Sequence, residues 1–305
     1  MNKAQKSQHE IADAIGSTQP TISKELSRNR GQRGYRAKQA QEKSTNRKKD
    51  KRSRPWVIVG EIEKEVVERL RRKHSPKQIS GKLAKSSVFV SAETIYQFIF
   101  EDKRKGGELY KDLRINGKRR YRRRAKNKRK GKILNRVGIE KRPKALELRA
   151  RYGDWEVDLI EGSKGSGFFL SLYERKSHTG LLMYMKTKGA KSTAKAIIKV
   201  LRGYRVRTLT YDNGLEFANH EEVSKALGSK AYFCNPYHSW EKGGVENYNG
   251  LVRQYYPKGS SFSEVDIQEL ARVEKEINER PRETLMFKSP SELGYHLRVT
   301  VAEAA

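Results

Sequence analysis

Cysteine occurs once in the 305 residues, at Cys234, which excludes an intrachain disulfide framework and a multi-thiolate zinc site. That thiol reads as an ordinary buried side chain beside Phe233. Long apolar runs are also missing: none approaches the roughly 18 residues that a membrane-crossing helix needs. The N-terminal MNKAQKSQHEI has no apolar core of a secretory signal. Acidic residues are in short supply, 36 Asp and Glu against 67 Lys and Arg, so the formal charge is +31. A charge of that size calls for a polyanionic partner, nucleic acid first. The expected chain is cytoplasmic and has no membrane partner.

Two or more domains are expected at this length, since one core usually holds roughly 100–200 residues. Charge marks their borders. From Gly117 to Arg136 the chain carries Lys118, Arg119, Arg120, Arg122, Arg123, Arg124, Lys126, Lys128, Arg129, Lys130, Lys132 and Arg136 with no Asp or Glu. A solvated helix face would carry acidic partners at i+4, so the run reads as a linker that tracks a polyanion. Before it lie two helical units. In the first, Ser7 and Glu10 form a capping-box pattern, Ile11 and Ile15 share a face and Gly16 suits the exit. The next helix has Pro20 in its first turn and Ile22 and Leu26 inward, leaving Gln19, Thr21, Lys24, Arg28 and Arg30 outside. That is the pattern of a helix-turn-helix whose second helix enters the DNA major groove. In the second unit Ile62, Val66 and Leu70 make one stripe, Ser75-Pro76 opens a helix through Ile79 and Leu83, and Ser91 caps a third with Ile95, Phe98 and Ile99. The stretch Asn46 to Pro55 reads as an exposed linker between the units.

From Gly153 the texture changes to strands and amphipathic helices. Trp155 to Ile160, Phe168 to Tyr173 and Gly180 to Met185 predict three strands; Ser192 to Tyr204 a helix; and Val206 to Tyr211 a fourth strand. A helix over His220 to Leu227, a strand over Lys230 to Cys234 and a helix over about Gly243 to Tyr256 follow. That order is the order of a ribonuclease H-like fold. The expected architecture is therefore multidomain, with N-terminal all-α helix-turn-helix units ahead of an α/β core built on a mixed central sheet. The expected segments are 1–45, 56–108, the basic linker 109–150 and the core 151–297.

Asp158 stands among strand hydrophobes in GDWEVDLIEG, where a carboxylate is costly unless paired, or else points to solvent from an edge strand. Asp212 closes the strand RTLTY, at the end where ligand sites of open α/β sheets gather. Glu246 lies 33 residues further on, and on a helix Glu246, Asn249 and Arg253 form one polar stripe. Glu241 is the rival third carboxylate, but it precedes Gly243-Gly244 and reads as a loop residue. Three carboxylates without a catalytic Ser, Cys or His suit hard divalent cations, and a pair about 4 Å apart stabilises both oxygens of an in-line phosphoryl displacement. The expected cofactor is Mg²⁺, with Mn²⁺ as substitute, two ions per site, and no nucleotide cofactor. Lys242, Arg253 and Lys258 are candidate phosphate contacts, or else solvated surface. Asn249 and Asn213 are candidates to orient phosphate or water; Asn213 alternatively stabilises its own turn. Trp240, Tyr237 and His238 either stack on an unpaired base or pack the loop.

The segments NRVGIEKRP, GDWEVDLI, YDNGLEF, NPYHSWEKGGVENYNGLVRQYYPKG and INERPRETLMFKSPSEL resemble the transposases of the insertion-sequence-30 group of bacterial mobile elements, over roughly Ile11 to Leu293. The resemblance implies paired N-terminal helix-turn-helix units and an Asp, Asp, Glu triad, which falls on Asp158, Asp212 and Glu246. It implies binding of double-stranded DNA, both terminal inverted repeats and target, with metal-dependent cleavage and strand transfer through a circular intermediate. It also implies self-association into a dimer or higher oligomer and a nucleoid-associated place in a bacterial cytoplasm. The family's usual helix ahead of the first helix-turn-helix is expected to be missing. Val245 and Val157 stand where the family commonly has Asn and Gly; neither is a presumed ligand, so catalysis is expected to survive. Two other readings are a catalytically dead, element-encoded DNA-binding regulator, which the intact triad opposes, and an integrase of another Asp-Asp-Glu family. The latter often carries a His/Cys zinc module, for which one cysteine leaves no room.

Overall fold

The computed structural model describes residues 6–52, 57–114, 133–236 and 238–298. Arg119, Arg120, Arg122, Arg123, Arg124, Lys128, Arg129 and Lys130, the heart of the expected phosphate-tracking linker, and Tyr237 lie outside the described residues. Contacts divide the chain into two compact units, Met1–Val59 and Gly60–Ala305.

The first unit contains α1 (Gln8–Ala14), α2 (Gln19–Asn29) and α3 (Ala37–Arg52). Ser7 caps α1 in a full capping box with Glu10, and Gly16 leaves it at φ 64°. Ile11, Ala12 and Ile22 form the small core with Leu26 against it. Ile15, expected on the face of Ile11, is instead 56% exposed, because the helix ends at Ala14 and turns it outward. The linker expected over Asn46 to Pro55 is corrected too: α3 runs through Arg52. Its side chains hold α2 from outside, Lys43 Nζ donating to Arg30 O at 2.7 Å and Arg47 to Asn29 Oδ1.

The second unit opens with α4 (Gly60–Arg71), α5 (Pro76–Lys85) and α6 (Ala92–Arg104). Val66, Leu70, Ile79, Leu83, Ile95 and Ile99 are all fully buried, as the apolar spacing requires. This helical trio is tied to the last part of the chain. Gln78 Nε2 donates to Pro281 O at 2.8 Å, Arg72 pairs with Glu279, and the Phe287 ring fills the space that a side chain at Gly81 would need.

The α/β part holds β1 (Asp154–Glu161), β2 (Phe168–Glu174), β3 (Gly180–Met185), α7 (Ala190–Leu201), β4 (Thr208–Tyr211), α8 (His220–Leu227), β5 (Lys230–Phe233), α9 (Gly243–Val252) and α10 (Ile267–Glu279). The sheet order is β3-β2-β1-β4-β5. β1, β2 and β3 pair antiparallel, whereas β4 lies parallel to both β1 and β5, so the sheet is mixed. Side chains alternate along β1. Trp155 and Val157 join the core that contains α7 and α8 residues, and Ile160 joins the one that contains Val245, Tyr248, Leu251 and Val273. Helices therefore cover both faces.

Both sheet edges make hydrogen bonds to groups outside the sheet, β3 at Gly180 and Leu182 and β5 at its last residue, which blunts them as templates for unwanted strand pairing. Asn278 on α10 accepts from Gly180 N at 2.9 Å and donates to Gly180 O at 2.7 Å, and Glu274 accepts from Leu182 N at 2.6 Å. At the other edge Phe233 N donates to Val137 O at 2.9 Å. Burial pushes the Glu274 carboxyl up to about 7, against the opposing pull of Leu182 N–H and Arg298. The sign follows: an acid whose folded pKa is raised binds its proton more tightly in the native state, so stability falls as pH rises from 4.5 to about 7. Glu274→Gln is expected to remove that slope, worth roughly 3 kcal/mol at most. Urea midpoints at pH 5 and pH 8 check it; an equal slope in both proteins would contradict it.

Candidate active site

Three acids alternate on one face of β1: Asp154, Glu156 and Asp158. Their partners separate their roles. Asp154, 1% exposed, accepts from Arg151 Nε at 2.9 Å and from Thr208 Oγ1 at 2.8 Å. Glu156 is paired with Arg175 and accepts from Val245 N at 2.8 Å. Asp158 alone of the three keeps an appreciable part of its side chain, 24%, open to solvent.

β4 brings the second acid level with it. Glu156 faces Thr210 across the parallel pair, so Asp158, in the middle of β1, and Asp212, just past the carboxyl end of β4, each two residues on, come level with one another. Asp212 Oδ1 accepts from Gly214 N at 2.8 Å, which turns the chain away and leaves Oδ2 toward the cleft. Asn213 Nδ2 donates to Cys234 O at 2.8 Å and so holds the turn against β5. The Cys234 thiol is buried, and burial pushes it up to about 12, as an inert side chain requires.

Lys242 joins the two aspartates. Its Nζ lies 3.3 Å from Asp158 Oδ1 and 3.7 Å from Asp212 Oδ2, and it donates to Val157 O at 2.9 Å. Burial opposes its charge, yet Asp158 and Asp212 outweigh it and hold the ammonium above the usual lysine range. Read from sequence as a phosphate contact, Lys242 stands in the structure as a 4%-exposed counter-ion of the carboxylate pair.

Glu246 is in the first turn of α9 and exposed. One turn later Asn249 Nδ2 donates to Asp158 Oδ2 at 2.8 Å, while its Oδ1 accepts from Ser171 Oγ at 2.5 Å. Arg253, a turn further, donates to Glu161 O at 2.7 Å and so closes the end of the helix. α9 thus runs along β1, with Glu246 one turn before Asn249, the residue that meets Asp158. The helix stops at Val252 rather than near Tyr256: the backbone N–H groups of Gln254 and Tyr255 turn back onto Leu251 O and Val252 O, and the Arg253 side chain donates to Tyr256 O at 3.4 Å in the turn beyond. Glu241 is used by its loop: it accepts from Asn235 N at 2.7 Å and from His238 Nδ1 at 3.2 Å. Among the described residues no three His, Cys, Asp or Glu side chains gather in one metal-sized cluster; the aspartates converge as a pair.

Of the outer residues, Trp240 is 68% exposed and stacks on His238 with ring centroids 4.4 Å apart. Lys258 is exposed. In the first unit Thr21, Lys24, Arg28 and Arg30 are exposed, and Gln19 donates to Gln8 Oε1 at 2.9 Å. Sequence reading passed over Glu156, although its alternation with Asp158 was a signal that both share one face.

A mixed five-stranded sheet flanked by helices, with one aspartate within the central strand β1 and another just past the end of its parallel neighbour β4, fits a ribonuclease H-like core behind a helical N-terminal part. No family model matches the chain. It is 42% identical over 287 residues to the transposase for insertion sequence element IS4351 of Bacteroides fragilis, spanning 92% of this chain and 88% of that one. It is 35% identical over 301 residues to transposase InsI for insertion sequence element IS30C of Escherichia coli K12, spanning 93% and 77%. Among solved structures, the catalytic core domain of BIV integrase matches 46% of this chain and 91% of its own at 21% identity and a TM-score of 0.37. The chain belongs to the transposases of IS30-type insertion sequences. No helix among the described residues is long and apolar enough to cross a membrane.

Proposed function

We propose that this transposase binds the terminal inverted repeats of its element and cleaves and rejoins DNA strands with divalent cations held by Asp158, Asp212 and Glu246. The observation that carries this reading is the convergence of Asp158 and Asp212 on one cation, the Lys242 ammonium. Oxygen donors that already share a positive charge fit a hard ion such as Mg²⁺, with Mn²⁺ as substitute. Two such ions, when bound, supply the charge that activates a water or a DNA 3′-hydroxyl and neutralises the scissile phosphate. The chain's own groups do the rest. Asn249 fixes the rotation of the Asp158 carboxylate, Gly214 fixes that of Asp212, and α9 delivers Glu246 as the third oxygen donor. The exposed Trp240 offers a ring face for an unpaired base. The exposed polar side of α2, with Thr21, Lys24 and Arg28, suits the major groove as the second helix of a helix-turn-helix, and α4 to α6 suit a second such unit. Joining two element ends calls for at least a dimer on double-stranded DNA.

The test is incubation of the purified chain with duplex carrying its element's end. Nicking and joining are expected with Mg²⁺ or Mn²⁺ and none after chelation; specific binding without any cleavage would instead make the chain a regulator. A second expectation concerns affinity. The basic run Lys118 to Lys132, with Arg119 to Arg124, tracks phosphates, so affinity falls by about 10³-fold or more between roughly 50 and 200 mM salt. A flat salt dependence in a filter-binding titration would remove that role.

A further inference from the structure

We infer that Glu156 is a positioning residue: by tying the first turn of α9 to β1 it sets where Glu246 stands. The inference rests on reading Glu246 as the third reactive carboxylate. Glu156 is 1% exposed, and a carboxylate so deep is costly unless every oxygen has a partner. Both oxygens do. Oε1 is held by Arg175, whose Nε in turn donates to Leu146 O at 3.3 Å. Oε2 accepts the backbone N–H of Val245, the residue immediately before Glu246, at 2.8 Å. That N–H is one of the four at the start of a helix that have no partner within it, and a negative charge there is favoured by the helix dipole.

The tether is close as well as charged. A Cβ added at Gly244 would lie 2.8 Å from Glu156 Oε2 and would overlap the Tyr173 ring. Only glycine lets the helix start approach β1 this far. Because the bond runs through the backbone amide, the side chain at 245 does not set it. Further along, Asn249 meets Asp158 and Arg253 meets Glu161. These two contacts fix the helix beyond Glu246, whereas Glu156 fixes it on the N-terminal side.

Three substitutions in the full chain test this: Glu156→Ala, Glu156→Gln and Gly244→Ala. Amide hydrogen exchange, without DNA or metal, reads the tether directly. Exchange at Val245 and Glu246 is expected to quicken in Glu156→Ala but far less in Glu156→Gln, which keeps an acceptor for the Val245 N–H. With DNA at saturation, Glu156→Ala and Gly244→Ala are expected to lower the single-turnover cleavage rate roughly 10²-fold, as an ångström-scale displacement of a catalytic group does, with the half-saturating DNA concentration moved less than about twofold. Glu156→Gln is expected to recover most of the rate. Equal damage by Gln and Ala, or a rate loss matched by lost DNA binding, would overturn the positioning role. Unchanged exchange at Val245 would overturn the tether itself, whereas a wild-type chain that exchanges as expected but never cleaves DNA would overturn only the functional reading.

Discussion

Asp158→Asn is expected to reduce strand cleavage and joining by at least roughly a thousandfold, while DNA binding stays within a few-fold. The substitution conserves shape, and an Asn side chain still offers an oxygen to Asn249 Nδ2, which donates to Asp158 at 2.8 Å. What it removes is half of the negative charge that converges on Lys242. A divalent ion bound between a neutral amide and one remaining aspartate is held far less tightly than between two carboxylates, and the charge it brings to the scissile phosphate goes with it. Asp212→Asn should behave alike, since its bond from Gly214 N also survives. The pair is expected to act as a unit, so the double variant should lose little more than either single one. Single-turnover nicking beside a gel-shift titration separates chemistry from binding. Unaltered cleavage in Asp158→Asn would remove the aspartate pair from the reaction.

Lys242→Met is expected to destabilise the protein by about 2–3 kcal/mol in chelator-treated buffer. Removing one partner of a buried ion pair typically costs about 3–5 kcal/mol, and the lower figure follows because the side chains of Asp158 and Asp212 are 24% and 42% exposed and so partly screened. Without the ammonium the two carboxylates face each other uncompensated, and Val157 O loses its donor. Mg²⁺ should then stabilise the variant more than the wild type, because a bound cation replaces the missing charge and binding to the native state alone adds stability. Urea midpoints with and without Mg²⁺ measure both effects. Equal stability of variant and wild type in chelator would show that Lys242 is not the counter-ion of the pair.

The strands were legible because a half-buried sheet imposes alternation and glycine-bearing turns, and β3 runs over Gly180–Met185 as its apolar pattern predicts. Helix caps were legible for a similar reason: Ser7, Ser75 and Ser91 each accept the backbone N–H that capping demands. α3 escaped because AKQAQEKSTNRKKDKR has no apolar stripe; the helix is held by polar bonds from Lys43 and Arg47, which no periodicity announces. α10 was passed over although Leu270, Val273 and Ile277 repeat at helical spacing, and with it the capping of the β3 edge went unread. At the site, residue types and spacing singled out Asp158 and Asp212, which the fold brings onto one lysine, and put Glu246 forward as the third acid, whereas the position of Lys242 could not be read. Its Nζ meets Asp158 across 84 positions of chain, and only the packing of α9 along β1 makes a surface-type residue into a buried cation.

Three-carboxylate chemistry at this site requires Glu246 to complete the aspartate pair. The direct measurement is a Mn²⁺ titration, followed by electron paramagnetic resonance, of the chain bound to its terminal duplex, for the wild type and Glu246→Gln. Mn²⁺ binding is expected to weaken at least roughly tenfold in the variant, since a charged oxygen ligand is lost, with strand cleavage falling alongside. Mn²⁺ affinity and cleavage both unchanged in Glu246→Gln would contradict the three-carboxylate site.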